Sequence, residues 1–429
     1  MKIACIGTGF VGVVTSAVFA KLGHQVVGLD IDEAKIKSLS QGKVPFFEPD
    51  LEEILQETLA SNNLSFTTSY QEAISQAEVV FIMVGTPSAP DGQADLKYVF
   101  AAAKDLAPYL QEKAIVVIKS TVPPGTNQKV AQIIQKLTSV QFTTASVPEF
   151  LKEGSAVHDT LHPDRVLIGA TDPYTIEVLT KLHQPLTNKI LVMKPESAQM
   201  AKYSANTYLA QRITFINQIA NLCEKNGADV QEVIQGIGHD KRIGLHYWYP
   251  GLGYGGSCFP KDVKEIAAYS KSVGETDSLF IKIDELNENR IPRLMEKYNQ
   301  LVGGFTGKTV AVLGLSFKPN TNDIREAPAL KVIPWLIDHG AQVRATDPQA
   351  IEVARSHLPS QVTYFNDPYE TAKTSHVLFH LIEWSDYSHL DFKRLAQLMH
   401  QPAYFIDTRN QYDPQLVQQH GFTYQGVGR

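Results

Sequence analysis

The chain has 429 residues, 43% of them hydrophobic and 20% charged, with a formal net charge of −6. That length exceeds one ordinary core and implies two or three domains. The acidic balance gives a nucleic-acid partner no general electrostatic support, and no apolar run approaches the ~18 residues a membrane span needs.

Residues 2–6, KIACI, read as a short buried strand, followed at once by GTGFVG, which places Gly7, Gly9 and Gly12 at G-x-G-x-x-G spacing. An alanine-rich helical pattern runs to about Leu22, and a second strand ends in Asp30. In such a unit Gly7 makes the tight turn, Gly9 lets a pyrophosphate approach, and Gly12 lets helix pack on strand. The helix N-terminus then offers amide donors to the phosphates. Asp30 suits the ribose hydroxyls, and its charge disfavours a 2′-phosphate, so the expected cofactor is NAD. The plain alternative is a glycine-rich turn that holds nothing.

Further strand patterns occupy 78–87, 114–126 and 142–150, apolar without alternation, as in parallel strands buried on both faces. Their loops carry Thr86, Thr121, Glu149 and Glu153 to the carboxyl edge, where open α/β sheets place ligands. Helix capping is the ordinary alternative for the two threonines. From Glu196 to Asn226 runs one long helical pattern closed by Gly227, of a length that connects domains or mates with a copy of itself. On it Lys202 and Asn206 are four apart and share a face.

The stretch YPGLGYGGSCFPKD (249–262) crowds glycines and two prolines around Cys258, with Lys261 and Asp262 just behind. The other cysteines, Cys5 in a strand and Cys223 in the long helix, read as packing residues. Three cysteines form a sparse, odd set that suits thiols in a reducing compartment, so a cytoplasmic enzyme is expected. The thirteen histidines show no metal-ligand spacing, and no metal is expected.

Near residue 305 the N-terminal pattern returns: strand, glycine turn, helix, then HGAQVRATD against the earlier LGHQVVGLD. This second turn lacks the dinucleotide glycines and carries Lys318 and Arg325, cations that suit another phosphorylated ligand or simply lie in solvent. Strand patterns at 377–381 and 403–410 extend the unit, with Arg409 just past a strand end.

Together GTGFVG with Asp30, STVPPGT, PEFLKEGSA (148–156), KYSAN (202–206), GLGYGGSCFPKD and SFKPNTNDIREAP (316–328) resemble the UDP-glucose 6-dehydrogenase branch of the nucleotide-sugar dehydrogenases. The resemblance implies an α/β chain with two Rossmann-like, doubly wound parallel-sheet domains joined by a long central helix. Residues 1–195 would bind NAD, 196–300 would form a helical dimerisation region carrying catalytic residues, and 301–429 would bind the UDP-sugar, in an enzyme expected to be a homodimer. Val11, Asp30, Lys35, Thr86 and Thr121 would contact NAD, joined by Glu153, Lys261 and Arg325. Glu149, Phe150, Leu151, Lys152, Glu153, Lys202, Asn206, Tyr247, Trp248, Tyr249, Pro250, Gly251, Gly255, Lys318 and Arg409 would line the sugar site. Arg242 would reach the sugar nucleotide of the neighbouring subunit. The segment LHYWYPGL is less typical of the family and bears on which sugar fits.

Oxidising a primary alcohol to an acid removes four electrons, as two hydrides to two NAD⁺. A cysteine solves the problem of the aldehyde between them by adding to it, then carrying the second oxidation to a thioester that water cleaves. Cys258 is the expected nucleophile, Lys202 and Asn206 the donors to each oxyanion, and Asp262 the residue that holds a water or orients Lys202. Glu153 is the expected hydrolytic base and Thr121 the residue that positions water. The substrate expected is UDP-glucose, with GDP-mannose or a UDP-N-acetylhexosamine as alternatives. A single-step β-hydroxyacid dehydrogenase would share the first domain and the Lys-x-x-x-Asn helix but needs no cysteine.

Overall fold

The strands form mostly on the apolar runs, the central ones shut off from solvent on both faces. In a computed structural model that describes residues 1–429, eight of them build the first sheet: β1 (Lys2–Ile6), β2 (Gln25–Leu29), β3 (Leu64–Thr67), β4 (Val79–Ile82), β5 (Ala114–Ile118), β6 (Phe142–Ser146), β7 (Val166–Gly169) and β8 (Ile190–Met193). Their order is β3-β2-β1-β4-β5-β6-β7-β8. Alternate residues of β1 enter two different apolar layers, Ile3 and Cys5 one, Ala4 and Ile6 the other, which is the period-two geometry of a strand covered on both sides. Strand order reverses beside β1, the switch point at which such sheets open a crevice. The first six strands are parallel. β7 then meets β6 antiparallel through Ser146 and Gly169, and β8 follows β7 in parallel. This reversed pair is an addition to the purely parallel sheet expected.

The second sheet contains β9 (Thr309–Leu313), β10 (Gln342–Thr346), β11 (Thr363–Tyr364), β12 (Val377–His380), β13 (Ala403–Asp407) and β14 (Phe422–Gln425). It runs β11-β10-β9-β12-β13-β14, parallel throughout, and repeats the order of the first six strands. The chain is therefore an α/β protein with two Rossmann-like sheets, as expected. Between them in sequence lies the helix Pro195–Asn226, 32 residues long. Proline at its first position costs no hydrogen bond, and Gly227, at φ 78°, closes it in the left-handed conformation. The chain forms two compact units, Met1–Ala205 with Glu265–Thr276, and Asn206–Lys264 with Asp277–Arg429.

The internal repeat extends to hydrogen bonds. Gly7 N–H donates to the Leu29 carbonyl at 2.7 Å and Gly314 N–H to that of Thr346 at 2.9 Å. Each turn then binds the acid that follows the second strand. Asp30 accepts from the amide and hydroxyl of Thr8, and Asp347 from the amides of Leu315 and Ser316 and the Ser316 hydroxyl.

Candidate active site

In the first unit the glycine turn is tight where it must be. A Cβ on Gly12 would lie 1.8 Å from the Gly7 carbonyl oxygen, so only glycine lets the helix Phe10–Lys21 start against the strand. A Cβ on Gly9 would meet nothing within 4 Å, so the turn is open on the side where a pyrophosphate passes. Asp30 closes the crevice. Burial pushes its carboxyl up, but the Thr8 amide, the Lys35 ammonium at 3.0 Å and the Thr8 hydroxyl outweigh it, leaving it below its usual range. An ionised acid here fits an unphosphorylated ribose, and these residues fit NAD. Lys35, expected at the cofactor, is tied to Asp30 in this structure.

Thr86 donates its hydroxyl to the Thr121 carbonyl at 2.9 Å. Neither threonine caps a helix: the helices that follow begin at Lys97 after Leu96, and at Thr126 after Gly125. The next loop is held rigidly. Glu149 accepts from Lys202 Nζ at 2.8 Å through one oxygen and from the Leu151 amide at 2.7 Å through the other. The Arg165 guanidinium lies 3.6 Å from the centre of the Phe150 ring, and Lys152 pairs with Asp159. Glu48, almost buried, accepts from the amides of Gly154 and Ala156, both at 2.6 Å, and so clamps the loop carrying Glu153. Sequence reasoning missed Glu48 because its partners lie more than a hundred residues away and its own surroundings, FFEPD, carry no motif.

In the second unit Cys258 is exposed and stands immediately before the helix Phe259–Ser272, its carbonyl accepting from the Asp262 amide at 2.8 Å. A helix N-terminus favours a thiolate. Asp262 is fully buried in the first turn, and its two oxygens accept from Asn206 Nδ2 at 2.5 Å and Lys261 Nζ at 2.6 Å. The glycines before the cysteine serve packing directly. A Cβ on Gly255 would lie 2.2 Å from the Glu326 carbonyl oxygen, and one on Gly256 would strike the Phe317 ring at 2.6 Å. Gly256 N–H also donates to the Arg325 carbonyl at 3.0 Å. Upstream, Gly251 is held by Asn217 and Arg290, neither of which the sequence marked.

Tyr247 and Tyr249 pack with ring centres 5.6 Å apart. Pro250 is buried between Tyr249 and Gly251. Trp248 is engaged within its own loop, donating to the Gly244 carbonyl beneath the Arg212 guanidinium. Arg409 forks onto Glu383 through Nε and Nη2, the latter at 2.7 Å. Burial works against both charges, but their attraction wins, holding Glu383 below its ordinary range and Arg409 above. Lys318 lies over the Phe317 ring. Arg325 pairs with Asp323, and Arg242, its side chain 88% exposed, pairs with Asp240. Cys5 and Cys223 are buried, as expected of packing residues.

A dinucleotide turn with its acid, on a doubly wound sheet, defines an NAD-dependent oxidoreductase. Three family models match in succession: the UDP-glucose/GDP-mannose dehydrogenase NAD binding domain over residues 1–187, the central domain over 196–289 and the UDP binding domain over 311–414. The chain belongs to the UDP-glucose/GDP-mannose dehydrogenase family. It is 43% identical to a UDP-glucose 6-dehydrogenase of Rhizobium meliloti (strain 1021), covering all of both chains. It is 42% identical to the UDP-glucose 6-dehydrogenase TuaD of Bacillus subtilis (strain 168), over all of this chain and 93% of that one. A solved UDP-glucose dehydrogenase from Pyrobaculum islandicum superposes with a TM-score of 0.93 at 38% identity, over 99% of this chain and 97% of the other.

Proposed function

We propose that the enzyme oxidises the C6 hydroxymethyl group of UDP-glucose to the carboxylate of UDP-glucuronate, forming two NADH per sugar. The observation that carries this reading is Cys258, an exposed thiol at a helix start whose first turn holds the buried Asp262, bonded to Asn206 and Lys261. The naming of relatives more than 40% identical along the whole chain supports the sugar, and the UDP binding model supports the nucleotide.

NAD⁺ supplies the hydride acceptor for both oxidations. The chain's own residues do the rest. Once C6 is an aldehyde, the Cys258 thiolate forms a carbon–sulfur bond to it and the carbonyl oxygen takes the charge. Lys202 and Asn206 donate to that oxygen, each such donor being worth about 3–4 kcal/mol. Asp262 fixes the Asn206 amide by accepting from it. After the second oxidation the sugar is a thioester. Water held by Thr121 and deprotonated by Glu153 attacks its carbon, the carbon–sulfur bond breaks, and the carboxylate leaves with the thiolate restored. Glu149 to Lys152, Tyr247 to Gly251 and Gly255 shape the sugar site, while Lys318 and Arg409 take the phosphates. Lys261 and Arg325 join the cofactor contacts.

The same reading assigns residues 196–300 to dimerisation. Tyr208, Phe215 and Leu222 recur every seven residues on the long helix and are 56%, 49% and 57% exposed, an apolar stripe suited to a second copy. The exposed Arg242 then serves the partner's site. No helix is long and apolar enough to cross a membrane, and an NAD-linked enzyme with thiol cysteines belongs in the cytoplasm.

The test is to count NADH formed per sugar consumed with UDP-glucose, GDP-mannose and UDP-N-acetylhexosamines. Two per UDP-glucose is expected, with the others at least a hundredfold slower. One NADH per sugar, or preference for another sugar, refutes the reading.

A further inference from the structure

The first unit contains a cavity of about 280 Å³, and Glu149 to Lys152 of the proposed sugar site form part of its wall. Thr15, Lys119, Glu149, Phe150, Arg165 and His183 contribute to its wall. Thr15, Lys119 and His183 are polar residues almost shut off from solvent. Thr15 is 1% exposed, and its Oγ1 has no protein partner, although a helical threonine commonly returns its hydroxyl to a carbonyl one turn back. His183 is 3% exposed, with Nδ1 2.8 Å from the Leu179 carbonyl oxygen. A carbonyl only accepts, so Nδ1 carries the proton and Nε2 presents a bare lone pair. That Nε2 also lacks a partner. Burial, then the Lys119 charge, push the imidazole down to about 4, so it is neutral at physiological pH. Lys119, the residue after β5, is 8% exposed. Burial pulls it down to about 8, against the pull of Glu149 and Cys5.

We infer that this cavity binds a small oxyanion that keeps one acidic hydroxyl, the class to which hydrogen phosphate and bicarbonate belong. The oxygens of such an ion accept from Lys119 and Thr15, and its hydroxyl donates to His183 Nε2. A fully ionised anion such as sulfate has no proton to give and would set lone pair against lone pair. A neutral polyol leaves the lysine charge uncompensated, and a metal cation is opposed by it. The volume holds one tetrahedral or planar oxyanion together with ordered waters. Arg165, stacked on Phe150, and Lys152 add cations to the wall, while its acids are engaged: Glu149 by Lys202 and the Leu151 amide, Asp159 by Lys152, and Asp164 by the Arg165 charge. Thr15, Lys119 and His183, the residues that would hold the ion, have no part in the proposed catalysis, and binding is read without turnover.

Calorimetric titration of the full chain tests it at pH 7.5, with NAD⁺ and UDP saturating to fill other phosphate sites. Potassium phosphate, bicarbonate and sulfate are compared at matched ionic strength. One equivalent of phosphate or bicarbonate should bind at least tenfold more tightly than sulfate, and the tighter of the two identifies the natural ion. Lys119→Met should weaken binding at least tenfold, and His183→Phe should bring the preference over sulfate within twofold. Thr15→Val, the nearly isosteric change, should weaken binding about fivefold and remains informative if either other variant fails to fold. No heat beyond dilution, equal affinity for sulfate, or unchanged affinity in the folded variants would show that the cavity holds only water.

Discussion

The Lys202 ammonium sits 2.8 Å from the Glu149 carboxylate, with side chains only 3% and 8% exposed. Breaking a buried pair leaves one charge uncompensated, which costs about 3–5 kcal/mol, whereas removing both partners costs far less. Lys202→Met and Glu149→Leu should therefore each lower the urea-unfolding free energy by about 3 kcal/mol, and the double variant should recover at least half. Strictly additive losses would mean that the two charges do not stabilise one another.

Thiol reactivity should separate the three cysteines. Burial pushes the Cys5 thiol up to about 12 and raises that of Cys223 as well, and a thiol reacts only as thiolate. Iodoacetamide at pH 8 should therefore label Cys258 alone, and UDP-glucose should slow the labelling, as mass spectrometry of peptides will show. Cys258→Ser should reduce steady-state turnover by about a thousandfold and leave the Kd for UDP-glucose within threefold. Wild-type turnover in that variant would exclude covalent catalysis.

Arg409 and Lys318 are expected to act on binding rather than chemistry. Losing a charge-assisted hydrogen bond costs about 1.5–3 kcal/mol, so Arg409→Ala should raise KM for UDP-glucose some tenfold to a hundredfold with kcat nearly unchanged. Lys318→Ala should raise it less. Glu383→Gln, which loosens the Arg409 fork, should raise KM about threefold. Unchanged KM in all three would remove them from the nucleotide site.

Lys119 should leave a signature in the pH dependence of stability. Its pKa falls from 10.5 to about 8 on folding, so between those values the unfolded chain binds the extra proton and stability rises with pH. Below pH 8 both states are protonated and the full penalty, about 3 kcal/mol, is present. In buffer free of phosphate and carbonate, Lys119→Met should stabilise the protein by about that amount at pH 7 and by little at pH 11. Equal effects at both pH values would show that the lysine charge is already compensated by the protein.

Features that depend on neighbouring residues were legible in the sequence. The turn at Gly7, Gly9 and Gly12, the acid at Asp30 and the long helix ending at Gly227 are each specified by short-range geometry, and all appear where expected. Cys258 with Asp262 was legible because four residues set both at one helix start. Partners across the fold were not. Glu149 is 53 residues from Lys202, Glu48 is 106 and 108 residues from the amides it clamps, and nothing local marks Glu383 for Arg409. The crowding of glycines beside Cys258 was legible, but that Gly255 and Gly256 are required by the backbone and ring packed against them was not, because those partners lie in the segment around Phe317 and Glu326. The reversed strands β7 and β8 were missed because apolar runs reveal burial without direction.

The two aspartates that close the matching turns have had different fates. Asp347 is almost wholly enclosed and also receives the amides of Gln349 and Ala350 and the Trp384 indole, so it has no lone pair to spare for a ribose. Asp30 remains partly accessible at its crevice, its side chain 13% exposed. A chain with one usable berth must run a four-electron oxidation as two visits: spent carrier departs and fresh carrier arrives while the half-converted sugar waits. Retention across that exchange, more than speed in either half, is the demand that a sulfur tether answers.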